Sequence, residues 1–350
     1  MTIGYFGIYH PGHPRNVVFI ECLRRAGYRV LEINDRTPCI KKYFSLGRKL
    51  RHERKNVDCL IVGFPGQQAV LLAKLLYRGP IIFNPLLSLY DAIIGDREDY
   101  SRWSFRALYF WLLDFLSVHA ADHVILDHNA HIDYFARVFG LPQKKTSRIF
   151  LGADEAVFRP LETEEKKYEI HYYSSFIPVH GTDTIIKAAK LLEADGVTFV
   201  ISGRGQCYDR DRKLAEEMKI KNIQFIDKLK SKEDLNRFIN SSWVSLGLFA
   251  SVPRTDRSIA SKVFEAICCG RPVITEYTEA GAELLKDKES VLFVRPNDSN
   301  DLAEKIRLLK KDNNLRLHIA KNARKAYEEK ASFSVIINQL KSTLSRYGVN

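Results

Sequence analysis

Lys262 and Glu265 stand three residues apart in the stretch SIASKVFEAICCGRPVIT, residues 258–275. The stretch reads as the end of a loop, a short helix, a Gly-Pro turn and a buried strand, and residues three apart share one face of a helix. The loop before it, FASVPRTDRSIASK (249–262), adds Arg254 and Arg257. Unpaired N–H groups at a helix start favour anions, and nearby cations add to that, so a phosphate fits here. A carboxylate one turn further on can accept hydrogen bonds from two ribose hydroxyls, as acidic residues do in nucleotide folds. Together these groups describe a nucleoside diphosphate, with Arg257, Ser258, Ile259, Lys262 and Glu265 around it. The plainer readings are a solvated basic loop and a glutamate that merely complements the helix dipole.

Two further loops of the same half lie where strands should end. SSFIPVHG (174–181) offers Ser175 and His180, and GRGQ (203–206) offers Gly203, Arg204 and Gly205. Gly-x-Gly after a strand marks either a close backbone approach to phosphate or a tight turn. In the first half, the loop YHPGHPRN (9–16) carries His10, Gly12, His13 and Arg15. Gly12 lets backbone approach a donor phosphate or an acceptor. Arg15 suits an acceptor phosphate, and His10 and His13 are acceptor contacts or ordinary loop residues. The strand PIIFN ends on Asn84, and PLLSLYDAIIGDRED (85–99) follows. Asn84 or Asp91 could touch acceptor or donor, and Asp91 could equally cap a helix.

The elements that must hold these residues alternate strand and helix. IGYFGIY (3–9), RVLEI (29–33), VDCLIVG (57–63), GPIIFN (79–84), ADHVILD (121–127) and SRIFLG (147–152) are short apolar runs between helical segments. That pattern predicts a parallel α/β sheet covered on both faces. RPLETEEKKYE (159–169) is charged and aperiodic, and reads as a linker. The alternation then restarts with IHYYSSF (170–176), VTFVISG (197–203), NIQFID (222–227), SSWVSLGLF (241–249) and RPVITEY (271–277). Asp298 or Ser299 caps a late helix over 298–312. The expectation is two Rossmann-like domains, 1–158 and 170–330, with a terminal segment 331–350 whose amphipathic helix crosses back to the first domain. Ligands of such sheets sit outside the carboxyl ends of the strands.

Four segments, in order and spacing over nearly the whole chain, resemble glycosyltransferase family 4. They are FLGADEAVFRP (150–160), SSFIPVHGTDTIIKAAKLL (174–192), FVISGRG (199–205) and SKVFEAICCGRPVIT (261–275). The resemblance implies the α/β GT-B fold, two Rossmann-like domains facing each other across a cleft. It implies a retaining hexosyltransferase that uses a nucleotide-diphosphate sugar as co-substrate, with no cofactor and no obligatory metal. It assigns catalytic roles to Lys262, Glu265, Asn84 and Asp91. Four departures stand out. Ser174-Ser175 replaces the family's Gly-Arg, and His180 replaces a lysine. Arg257 replaces the first glutamate of its E-x7-E pattern, of which Glu265 is the second. ASKVFE resembles a family variant that shares this last loss. Asn84 stands where the family presents a histidine. A nucleotide-sugar 2-epimerase and a non-catalytic scaffold are the rival readings.

Charge and composition bound the partners. The 350 residues carry a net charge of +12, which favours a polyanion, yet no compact nucleic-acid-binding motif is present. CIKKYFSLGRKLRHERK (39–55) holds seven Lys/Arg and one Glu, with Ile40, Tyr43, Phe44 and Leu50 at roughly helical spacing. It suits an anionic membrane surface or a solvated face. YSRWSFRALYFWLLDFL (100–116) is aromatic-rich and suits a bilayer interface or a buried helix. The +12 charge tips the balance toward peripheral membrane contact and a lipid-linked acceptor, so the expected acceptor is a glycan or lipid-linked one. Six cysteines without a C-x-x-C pair imply no zinc and a reducing cytoplasm, and the amino-terminal run is no signal peptide.

Overall fold

A computed structural model describes residues 1–96, 101, 103–250, 252 and 254–349 of the chain. Tyr100 and Arg102 of the aromatic segment, residues 97–99 after Asp91, and Ser251 and Pro253 of the basic loop lie outside the described residues. The chain divides into two compact units, Met1–Gly152 with Ala331–Asn350, and Ala153–Lys330. Residues 153–158 therefore pack in the second unit rather than the first: the Cys268 thiol donates to Phe158 O at 3.1 Å, and Tyr327 OH donates to the Glu155 carboxylate at 2.9 Å.

Unit 1 runs β1 (Thr2–Gly7), α1 (Pro14–Arg25), β2 (Arg29–Asn34), α2 (Lys41–Glu53), β3 (Cys59–Val62), α3 (Gln67–Leu76) and β4 (Ile81–Phe83). It continues through α4 (Phe105–Ala120), β5 (His123–Leu126), α5 (Asn129–Phe139) and β6 (Thr146–Arg148). The strands pair in the order β2-β1-β3-β4-β5-β6, all parallel. β3, β4 and β5 are buried along their whole length, as a parallel sheet under helices requires. Pro14 opens α1, where its missing N–H costs nothing.

Unit 2 repeats the plan. It comprises β7 (Lys166–Ser174), α6 (Thr182–Leu191), β8 (Thr198–Gly203), α7 (Tyr208–Glu217), β9 (Ile223–Ile226), α8 (Lys232–Ser241) and β10 (Ser242–Leu246). α9 (Ser261–Cys268), β11 (Val273–Glu276), α10 (Glu279–Leu284), β12 (Leu292–Val294), α11 (Ser299–Lys311) and α12 (Asn313–Lys330) follow. The parallel order β12-β11-β10-β7-β8-β9 puts β7 inside the sheet. The linker expectation fails at its end: β7 begins at Lys166, because its first residues pair with β10 and β8 while their charges stay solvated. Asp298 caps α11, accepting from Asn300 N and Asp301 N. A last helix, α13 (Phe333–Ser345), belongs to unit 1 and packs on α1. No helix among the described residues is long and apolar enough to cross a membrane.

Asp114 ties α4 to the loop after β4. Its carboxylate accepts from Ser88 Oγ at 2.7 Å, Tyr90 N at 2.9 Å and Gln67 Nε2 at 3.0 Å. Burial still pushes its pKa up, and the three donors offset only part of that. Asp114→Ala would leave those donors unpaired and lower stability by about 3 kcal/mol, whereas Leu75→Ala at an exposed site would cost about 0.5 kcal/mol or less. Urea unfolding of the two variants beside the wild type measures the difference. Equal midpoints would refute the anchoring role.

Candidate functional site

α9 starts without a side-chain cap. Ala260 is its N-cap residue, and no side chain closes its first turn. Ser258 N donates to Thr255 O, but the N–H groups of Ile259, Ala260 and Ser261 find no acceptor among the described residues. Alanine is a poor N-cap, so these donors suit an anionic group from outside the chain.

One turn in, Lys262 and Glu265 are both buried, and no ion pair joins them. Each is held instead by a tyrosine at the end of β7. Lys262 Nζ donates to Tyr172 OH at 2.9 Å and lies 4.1 Å from that ring's centroid. Tyr173 OH donates to Glu265 Oε2. Burial brings Lys262 down to about 7, with Glu265 opposing the shift. Burial lifts Glu265 to about 7, against the Tyr173 hydrogen bond and the Lys262 charge. Tyr173 takes one acceptor position on Oε2, and Oε1 carries no bond from another side chain among the described residues.

The neighbouring loops meet where side chains would collide. Gly203 sits at φ 127°, and a Cβ there would fall 1.9 Å from Ser174 O. A Cβ on Gly205 would fall 1.8 Å from Ser175 O. These glycines serve the seam between two loops. Ser174 Oγ accepts from Phe176 N at 2.9 Å and bonds His180 Nδ1 at 2.7 Å. Burial, then the Lys262 and Arg254 charges, keep His180 neutral at pH 7, so it cannot stand in for a lysine's charge. Ser175 is exposed. Arg204 is exposed at the edge of these loops, bonded to Asp227 at 2.7 Å and stacked on Tyr208 at 4.1 Å. Arg254 and Arg257 lie half-buried in the turn before α9. A cavity of about 390 Å³ opens beside these loops, lined by Tyr173, Ser175, Gly203, Arg204, Lys228 and Lys232 among others.

In unit 1 the expected acceptor residues are largely internal. Arg15 is fully buried: Nε donates to Asn84 Oδ1 at 2.8 Å, and Nη1 donates to Ile149 O at 2.7 Å and Phe150 O at 3.0 Å. It braces the carboxyl edge of the sheet and presents no surface to an acceptor phosphate. Asn84 is its buried partner. His13 caps α1 through Nδ1, which accepts from Arg15 N at 3.3 Å, and burial brings it down to about 4. His10 is exposed and accepts from Gly12 N at 3.1 Å, so Gly12 serves a local turn. Asp91 is buried at the start of a short π-type turn, Asp91–Asp96.

Sequence reading passed over three groups. Tyr172 and Tyr173 were missed because strand alternation gives no reason for two successive side chains to serve one helix. Lys228 and Lys232, which line the cavity, belong to no motif in the sequence. Asp127, His128 and His131 form the one cluster with convergent metal-type ligand atoms among the described residues, within 4.8 Å of one another. Asp127 Oδ1 accepts from His131 Nδ1 at 2.7 Å, and Oδ2 lies 3.1 Å from His128 Nδ1. The D-H-x-x-H spacing at a strand end was the available signal. The carboxylate engages the His131 ring by a hydrogen bond, while both ring nitrogens of His128 and Nε2 of His131 are buried without a hydrogen-bond partner among the described residues.

Residues 154–326 match the family model for glycosyl transferases group 1. An uncharacterized glycosyltransferase of Methanocaldococcus jannaschii is 25% identical over 162 residues, 46% of this chain and 43% of that protein. The N,N'-diacetylbacillosaminyl-diphospho-undecaprenol alpha-1,3-N-acetylgalactosaminyltransferase of Campylobacter jejuni is 24% identical over 203 residues, 54% of this chain and 51% of that one. The chain thus spans about half the length of these curated relatives. Among solved structures, Anabaena HepE in complex with UDP and glucose superposes with a TM-score of 0.75 at 16% identity, covering 98% of this chain and 99% of that one. The fold is GT-B.

The buried pair sets a pH signature. Glu265 titrates near 7 folded and near 4.5 unfolded, so the folded chain holds the extra proton between these values and stability falls as pH rises from 4.5 to 7. Lys262 titrates near 7 folded and 10.5 unfolded, so stability climbs again from 7 to 10.5. Glu265→Gln removes the first slope. The stability of wild type relative to the variant should drop by about 3 kcal/mol between pH 4.5 and 7, or roughly 8 °C in Tm. A difference that stays constant across this range would refute the burial account.

Proposed function

We propose that this protein transfers a sugar from a nucleotide-diphosphate sugar to a hydroxyl of a glycan or lipid-linked acceptor, with retention at the anomeric carbon. The observation that carries the reading is the uncapped start of α9 next to the buried Lys262, with Glu265 one turn further in. It lies within the stretch that matches group 1 glycosyl transferases. Support for the donor class also comes from HepE, whose structure holds UDP and glucose. Support for a lipid-linked acceptor comes from the Campylobacter relative, named for a diphospho-undecaprenol substrate.

In this reading the diphosphate lies against the open N–H groups of Ile259–Ser261, and Lys262 supplies the charge. Tyr172 OH orients that ammonium. Glu265 Oε1 takes a ribose hydroxyl, and the base occupies the cavity beside Tyr173 and Lys228. The bond from the sugar's anomeric carbon to the diphosphate oxygen breaks, leaving the electron pair on the diphosphate. The acceptor oxygen then bonds that carbon on the same face, and its proton passes to the departing phosphate oxygen. Lys262 and the helix start stabilise the developing charge more than the ground state, which is where catalysis is gained. No metal is needed for that balance, and the family's missing Arg and Lys are replaced by Lys262 and backbone donors.

Thermal shift against UDP, GDP, ADP and CMP is the direct test: one diphosphate should raise Tm, and Lys262→Met should weaken its binding roughly a hundredfold, about 3 kcal/mol. Lys262 must be protonated to hold the anion. Affinity should therefore fall as pH rises above 7, approaching about tenfold per unit in wild type, and stay flat in Lys262→Met. No shift with any nucleotide from folded protein would overturn the donor site. A shift without turnover of any sugar nucleotide would favour the scaffold reading.

A further inference from the structure

A helix on the surface of a water-soluble domain normally turns a polar face outward. α4 does not. Its inward positions include Ala107, Leu113, Asp114, Ser117 and Val118. Outward, Phe105, Leu108, Tyr109, Leu112 and Leu116 recur at helical spacing, and all are exposed. Phe105 is 92% exposed, and Trp103, just ahead of the Ser104 cap, is 97% exposed.

α2 extends this face. Both helices pack on α3, and Tyr43 of α2 is an electrostatic neighbour of Tyr109. The sequence stripe of α2 divides in the fold. Leu46 and Leu50 enter the core with Gly47 packed against Leu76, while Ile40 and Phe44 point to solvent. Lys41, Arg48 and Arg51 are exposed beside them and form no ion pair among the described residues.

We propose that this face of unit 1 docks on an anionic lipid surface, with the α4 aromatics at head-group depth and the α2 cations against lipid phosphates. Trp and Tyr favour that interface, and a helix lying in its plane buries one apolar side while nearby Lys and Arg bind the anionic groups. Charge decides between a lipid surface and a second copy of the chain. A two-fold contact would set the same α2 cations against each other, on a chain already at +12. An anionic bilayer complements them. The proposal is independent of the donor site on α9.

The full chain is sedimented with vesicles of phosphatidylcholine alone or with about 30% phosphatidylglycerol. Partition onto the anionic vesicles should be roughly tenfold higher at low salt, the advantage shrinking as salt screens it, with a blue shift in tryptophan emission. Trp103→Ser with Phe105→Ser, and Lys41→Glu with Arg48→Glu and Arg51→Glu, should each reduce partition at least about fivefold. Neither set should alter Tm or its response to nucleotide. Equal partition onto both vesicle types, or variants that partition like the wild type, would overturn the proposal. So would a concentration-dependent dimer in ultracentrifugation that the Trp103/Phe105 variant abolishes, which would make the face a contact between copies. Loss of the nucleotide response with partition intact bears on the donor site alone.

Discussion

The desolvation of Lys262 and Glu265 on one short helix is the constraint around which unit 2 is arranged. A buried ammonium and carboxylate are costly, and the usual remedy is to pair them. Here they do not meet. Burial shifts both toward their neutral forms, and each has a tyrosine hydroxyl from the end of β7 as its partner, the Tyr173 bond offsetting part of the Glu265 shift. An anion added at the start of α9 would favour charged Lys262 and fill the place of the missing cap.

That arrangement requires β7, β8 and β10 to bring their carboxyl-end loops almost into contact. Gly203 and Gly205 lie against the Ser174 and Ser175 carbonyls, and Gly181, at φ 60°, lies against the Phe249–Ala250 backbone. A side chain at any of the three would separate loops that line the cavity. The same edge in unit 1 is closed by a different device. Arg15 spans from α1 to Asn84 and to the Ile149 and Phe150 carbonyls, with its Nη2 and Asn84 Nδ2 left buried without a partner among the described residues.

The sequence alone determined the architecture. Strand-helix alternation is a local signal, and the two parallel sheets follow from short apolar runs that must be buried on both faces. It also determined the Lys262/Glu265 pair, because spacing of three on a helix fixes a shared face whatever surrounds it. The Asp298 cap was legible for the same reason, since a cap acts within three residues of its own position. Only the tertiary structure decided which charges are available. Arg15 read as a ligand contact, yet it is buried on backbone carbonyls, while Arg204 stays exposed at the cavity with Asp227 beside it. It also recruited Tyr172 and Tyr173, and it turned the apolar side of α4 outward when sequence left both directions open. Those outcomes depend on contacts between residues far apart in the chain, and periodicity carries no information about which distant group arrives first.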